Sequence, residues 1–169
     1  MRPGFAGVGH VAFTVTDLDT SQRFYTQVLD FVVVMDLGYG RICMHPQTGF
    51  TLALLAHEGA RGGSFSELNT GLDHVGFAAA SREELEQWER HFDEHGVVYT
   101  PIRDEHFGSH LNFRDPDGIA LEFSASNELM DAAREALSSG QMTPADIAAF
   151  IAANVSPDYV AGDRPGTEN

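Results

Sequence analysis

Two stretches of this chain carry a histidine in the same short phrase. Residues 7–13 read GVGHVAF and residues 71–77 read GLDHVGF, so His10 and His74 occupy one position of a repeated GxxHVxF. Both phrases have the alternation of strands. In the second, Leu72, His74 and Gly76 share one face while Val75 and Phe77 share the other. An imidazole among apolar neighbours finds a partner or stays neutral, because burying it charged is costly. Glu122 is a third such residue. It is the one charge in the apolar run 119–124, flanked by Leu121 and Phe123. Two neutral imidazoles and a carboxylate suit Fe(II), Mn(II), Zn(II) or Ni(II) and leave coordination positions for substrate and water. His110, two residues before Asn112 on one strand face, is either the candidate catalytic acid or base or an ordinary polar strand residue.

Other polar residues have plainer readings. His45 sits in a turn and is structural, and His106 lies in a solvated loop. His57, His91 and His95, in a linker or on a charged helix, are expected to be exposed. Asp115 and Asp117 flank Pro116 in a turn and are expected to hydrogen-bond their own backbone.

The elements that position these groups form a duplicated pattern. Residues 7–15 are a strand. Asp17 or Thr20 caps a helix carrying Phe24, Tyr25, Val28 and Leu29 at helical spacing, which Asp30 closes. Three strands follow at 31–36, 41–44 and 50–56, the last after the turn HPQTG. Residues 57–70 form a linker without periodicity. The pattern then restarts with a strand at 71–80. The capping box Ser81–Glu84 opens a helix with an apolar stripe of Leu85, Trp88 and Phe92, and Gly96 ends it. Strands are expected at 97–102, 107–113 and 119–124, the last after the turn RDPDG. Each copy is β-α-β-β-β, which makes the fold class α+β: two βαβββ modules, 7–56 and 71–124, within a domain of residues 1–125. Residues 126–169 leave the repeat. Asn127 or Ser126 caps one helix. Thr143 caps a second, with Pro144 at its first position. A loose tail follows. These helices read as a packing or dimer-stabilising appendage, the alternative being a substrate lid.

Composition excludes several roles. The chain has 169 residues, 43% of them apolar, and a formal charge of −15. It can bury a core, but it has no basic excess to neutralise nucleic-acid phosphates or to meet an anionic membrane surface. No stretch approaches the roughly 20 apolar residues that span a bilayer. The N-terminus lacks the apolar run of a signal peptide. Cys43 is the single cysteine, so no intrachain disulfide forms, and a cytoplasmic setting is expected.

Paired GxxHVxF strands, duplicated βαβββ modules and a late DPDGxxLEF segment resemble the vicinal oxygen chelate superfamily. This group includes glyoxalase I, extradiol dioxygenases, methylmalonyl-CoA epimerase, and fosfomycin- and bleomycin-resistance proteins. The resemblance implies a cupped mixed sheet around a divalent metal that chelates two substrate oxygens, with His10, His74 and Glu122 as ligands. A fourth ligand position, used by glyoxalase I and the epimerase, falls on Ala53, which cannot ligate. The tyrosine position of the extradiol dioxygenases falls on Asn112. The basic set of the fosfomycin enzymes is matched only by Arg103 and Arg114. The resemblance therefore implies a metal-dependent dioxygenase, lyase, isomerase or transferase acting on a small oxygenated substrate. The alternative is a metal-free, bleomycin-resistance-like protein that sequesters a small aromatic or antibiotic ligand. A homodimer is implied as well. If its modules are exchanged between chains, His10 and His74 of one site belong to different subunits.

Overall fold

The computed structural model describes residue 4 and residues 6–154; the expected tail lies outside the described residues. Twelve elements follow in order: β1 His10–Thr14, α1 Leu18–Gln27, β2 Val32–Asp36, β3 Gly40–Met44, β4 Thr51–Leu55, β5 Val75–Ala78, α2 Arg82–His95, β6 Arg103–Glu105, β7 Gly108–Arg114, β8 Ala120–Ser126, α3 Glu128–Ser138 and α4 Pro144–Asn154. The strands form two four-stranded sheets with matching orders, β1-β4-β3-β2 and β5-β8-β7-β6. The α+β duplication with C-terminal helices is thus present. In the first sheet β1 runs parallel to β4, and the other pairings are antiparallel.

Local chemistry explains the boundaries. The Asp17 side chain accepts from Thr20 N at 2.6 Å and caps α1. Asp30, at φ 57, takes the left-handed conformation that turns the chain after the helix. Ser81 Oγ accepts from Glu84 N at 3.3 Å, and Glu84 reaches back to Ala80 N. Asn127 caps α3 through Met130 N at 3.1 Å. Thr143 and Asp146 cap α4 reciprocally, at 3.2 and 2.9 Å. Ahead of each histidine the repeated glycine has positive φ, 115° at Gly7 and 151° at Gly71. Each phrase therefore starts as a bend. His10 opens β1, and His74 stands one residue before β5 rather than inside it.

One expected strand is displaced. Residues 97–102 make only an isolated bridge, Tyr99 to Phe113, and the strand itself comes later, at β6. Pro101 explains this: without an N–H it cannot continue a ladder.

The chain divides into two compact units, one of residues 1–75, 90–99 and 113–121, the other of 76–89, 100–112 and 122–169. In the first, α1 packs on β2, β3 and β4, and Phe13, Tyr25, Leu29, Phe31, Cys43, Leu52 and Leu54 are buried. Phe92 meets Phe113 there with ring centroids 4.7 Å apart. The same unit holds the connector between modules. Phe65 N donates to Asp117 O at 3.0 Å, and the Arg114 guanidinium grips Glu67 at 2.7 and 3.2 Å. In the second unit Leu85, Leu111, Phe123, Ala125, Ala133 and Ile147 are buried, Trp88 stacks on Phe123 at 4.3 Å, and α3 packs on α4.

Candidate functional site

Glu122 sits in the middle of β8, where burial alternates residue by residue. Leu121, Phe123 and Ala125 are buried on one face, so Glu122, Ser124 and Ser126 point to the other. β7 alternates in the same way, with Ser109, Leu111 and Phe113 buried and His110 and Asn112 opposite. Glu122 and His110 thereby meet. Glu122 Oε2 lies 3.4 Å from His110 Nδ1, and the two side chains are only 15% and 20% exposed. That approach is not a hydrogen bond: His110 Nδ1 is buried without a hydrogen-bond partner. The edge-to-face ring of Phe107, 5.5 Å away, flanks the imidazole. Gly76 on β5 leaves the carboxylate uncrowded, since a Cβ there would stand 3.7 Å from Glu122 Oε1.

This pair lines a cavity of about 190 Å³ whose walls include Phe107, Ser124, Met130 and Arg134. The last two belong to α3. Arg134 donates to Ser126 Oγ at 2.6 Å and approaches Asp131 at 3.4 Å. The helix outside the repeat therefore packs on its own unit and also walls this cavity.

His10 and His74 belong to the first unit, and Glu122 and His110 to the second. Both histidines are exposed rather than enclosed by apolar neighbours. His74 instead pairs with its chain neighbour: Nδ1 lies 2.7 Å from Asp73 Oδ1, with the histidine side chain 44% exposed. The first unit holds a larger cavity, about 450 Å³, lined in part by Ala12, Thr14, His57, Arg61 and Leu72. None of the four predicted site residues lines it. Ala12 and Thr14 nevertheless continue the face of β1 that His10 begins, and Leu72 stands two residues before His74. Ala53 is buried on β4, where it pairs with Ala12 and Ile42 and offers no donor.

The RDPDG turn is structural, as its sequence suggests. Asp115 Oδ1 accepts from Asp117 N at 2.9 Å and from Ile119 N at 2.8 Å. Its distant ties join residues that are far apart along the chain. The Tyr25 hydroxyl donates to Asp115 Oδ2 at 3.1 Å, and Asp117 accepts from the Thr16 amide at 3.1 Å and from its hydroxyl. Burial raises the Asp115 carboxyl above the usual aspartate range and drives the Tyr25 hydroxyl well above its ordinary value, helped by the adjacent Asp115 charge. His45 also holds its own turn, with Nδ1 3.0 Å from Thr48 Oγ1.

His91 departs from expectation. It is half-buried, and its Nε2 lies 3.0 Å from Val28 O, because α2 turns that edge toward the end of α1. With Glu94 and His95 it forms a group overlooked in sequence: among the described residues, these three side chains bring one ligand atom each within 4.8 Å of one another. The signal was the spacing i, i+3, i+4, which puts all three on adjoining positions of one helical surface.

Comparison with known proteins agrees with the fold. Over 134 residues the chain is 26% identical to MhqA of Bacillus subtilis, named as a ring-cleaving dioxygenase; the match takes in 71% of this chain but only 40% of MhqA. It is 27% identical over 117 residues to the metallothiol transferase FosB of Staphylococcus epidermidis, covering 68% of this chain and 78% of that protein. Among solved structures, a glyoxylase/bleomycin resistance protein/dioxygenase domain from Frankia sp. EAN1pec superposes with a TM-score of 0.68 at 35% identity, covering 74% of this chain and 95% of that one. The fosfomycin resistance protein FosX of Listeria monocytogenes, in a complex with Mn(II), shares the fold with a TM-score of 0.61 at 18% identity, covering 78% of this chain and 99% of that one. The family pattern itself matches residues 7–123, so the chain belongs to the glyoxalase/bleomycin resistance protein/dioxygenase superfamily.

Proposed function

We propose that this protein is a metal-dependent enzyme acting on a small oxygenated molecule, with His10, His74 and Glu122 holding a divalent ion and His110 moving a proton. The observation that carries this reading is the Glu122–His110 pair. A carboxylate and an imidazole nitrogen without a hydrogen-bond partner meet on the polar face of a sheet, at a cavity, in a chain of this superfamily. The donor set fits such an ion: two imidazoles and a carboxylate are borderline ligands for Fe(II), Mn(II), Zn(II) or Ni(II). Asp73 supports the fit. A carboxylate holding His74 Nδ1–H fixes the ring and leaves Nε2 as the ligand. The names of the relatives, a metallothiol transferase and a Mn(II) complex, point the same way. When bound, such an ion supplies Lewis-acid stabilisation of a developing anion on a chelated substrate.

The chain's own residues would do the rest. His110, beside a carboxylate and screened by Phe107, accepts a proton at one ring nitrogen and returns it. Arg134 of α3 and Ser126 of β8 line the same cavity and would favour an anionic or hydroxylated group on the substrate.

The second reading is a metal-free binding protein. In its favour, the described ligand group within 4.8 Å is His91, Glu94 and His95, not this set. Metal analysis of untagged protein purified without oxygen separates the two. The enzyme reading expects close to one equivalent of divalent metal at this site, lost in His74→Ala and Glu122→Gln. Less than a tenth of an equivalent in the parent chain, with no gain on reconstitution, would overturn it. Iron would direct activity screening to ring-cleaving oxygenation, and manganese, zinc or nickel to isomerase, lyase or transferase chemistry.

A further inference from the structure

We infer that the last turn of α2 is a second divalent-metal site, formed by His91, Glu94 and His95 and separate from the one proposed above. Each residue offers a ligand atom, and the three atoms lie within 4.8 Å of one another. The imidazoles are four residues apart on one helix, and their ring centroids are 4.1 Å apart. One turn of helix thus presents both rings side by side, with Glu94 adjoining them.

Three further features favour a cation here. The first is tautomer. His91 Nε2 lies 3.0 Å from the Val28 carbonyl oxygen and His95 Nδ1 lies 2.9 Å from the His91 carbonyl oxygen. A carbonyl only accepts, so each of those nitrogens carries the hydrogen. The ligand lone pair is thereby set on Nδ1 of His91 and Nε2 of His95. Metal-binding histidines characteristically donate the other ring N–H to a backbone carbonyl, which orients the ring and raises its basicity. The second is the helix itself. Its C-terminal end carries partial negative charge from unpaired carbonyls, which attracts a cation and repels an anion. The third is net charge, −15 over the chain, which raises the local concentration of cations. The adjoining cavity also carries the basic side chains of Arg23 and Arg114. Arg114 is held by the Glu67 carboxylate and Arg23 hydrogen-bonds the Thr20 hydroxyl at 3.0 Å.

Two imidazoles and one carboxylate select a borderline ion such as Zn(II), Ni(II) or Co(II) over Mg(II) or Ca(II). An ion bridging residues one turn apart also clasps the helix end beside Gly96, so binding should stabilise the folded chain.

The test is a titration of chelator-stripped, untagged full-length protein with Zn(II), read by calorimetry, and with Co(II), read by visible absorption. His95→Gln and Glu94→Gln are the informative variants, since both side chains are exposed; His91 also holds Val28 and its loss could disturb packing. Each variant should weaken one class of Zn(II) site by roughly tenfold or more, at least the loss seen when only a supporting residue is removed. Metal should raise the parent's melting temperature more than that of His95→Gln. Retention of the parent's stoichiometry, affinity and melting shift in both variants would overturn the proposal. His74→Ala keeps the two sites distinct: it should leave the α2 site intact. If the His10, His74 and Glu122 site does not exist, the parent binds one equivalent that only the α2 variants remove.

Discussion

A tyrosine hydroxyl and a carboxyl buried together tie two distant parts of the first unit. Tyr25 is fully buried and Asp115 is 5% exposed. Their 3.1 Å bond joins α1 to the RDPDG turn. Tyr25→Phe deletes the donor and strands one Asp115 oxygen in a place that already disfavours its charge. Urea denaturation should show a loss of about 1–3 kcal/mol, the cost of a buried group left unpaired. Retention of full stability would show that water replaces the hydroxyl. At this scale sequence was a partial guide. Glu122 stood out because a lone charge in an apolar strand must be explained, and a partner, His110, stands opposite it. The Tyr25–Asp115 and Thr16–Asp117 ties were not legible, because they join residues about ninety or more positions apart that meet only after folding. His10 and His74 were legible as a pair but misjudged in setting: the alternation around them reads as a half-buried strand, whereas both lie exposed at strand starts.

Helices and strands repeat their lesson twice over. The caps were readable, since Asp17, Ser81, Asn127 and Thr143 each stand where an unpaired helix N–H needs an oxygen. The strand expected at 97–102 was not, because its pairing stops at the bridge from Tyr99 to Phe113, cut short by Pro101. Gly108 illustrates a requirement the pattern hid. It opens β7 at φ 147, and a Cβ on it would come 2.1 Å from Ala125 O on neighbouring β8. Gly108→Ala should therefore force the two strands apart and cost more than about 2 kcal/mol by thermal or urea unfolding, through backbone strain added to collision. A near-neutral result would mean that β7 begins later in solution. The same strands carry His110 and Glu122, so this variant should also weaken metal retention at the proposed site.

For the molecule as a whole, the assembly of the proposed site across the duplicated halves is the central question. His10→Ala and His74→Ala each remove one proposed ligand. If modules are exchanged between the chains of a dimer, unfolding and refolding the two variants together creates mixed dimers with one intact site each. Metal at the proposed His10, His74 and Glu122 site should then return in the mixture and in neither variant alone. No recovery would assign all three ligands to one chain. Charge also acts at this scale. Arg114 beside Glu67 pulls that carboxyl down to about 2 from its ordinary value, chiefly by direct hydrogen bonding. An acid whose folded value is lowered stabilises the fold above its unfolded value. That contribution fades as pH falls from about 4.5 toward 2. Both groups are solvent-exposed, so salt screens the pair. A carboxyl-carbon NMR titration should place the Glu67 midpoint near 2, moving toward the ordinary glutamate range in high salt or in Arg114→Gln. An ordinary midpoint at low salt would remove this clasp from the connector.

The connector has a consequence for how such a chain could be rearranged. Its later half is pinned through Phe65 and Glu67, while residues 58–63 are exposed and include Gly59 and Gly63, both at positive φ. A break or an inserted sequence near Arg61 would fall on the bare side of those pins. Everything after the break would keep Glu67 together with the arginine that holds it, and each product would retain one intact GxxHVxF phrase. The joint between the two repeated modules is thus the place where the gene could be cut, permuted or given a passenger domain, with each half carrying its own share of the proposed ligands.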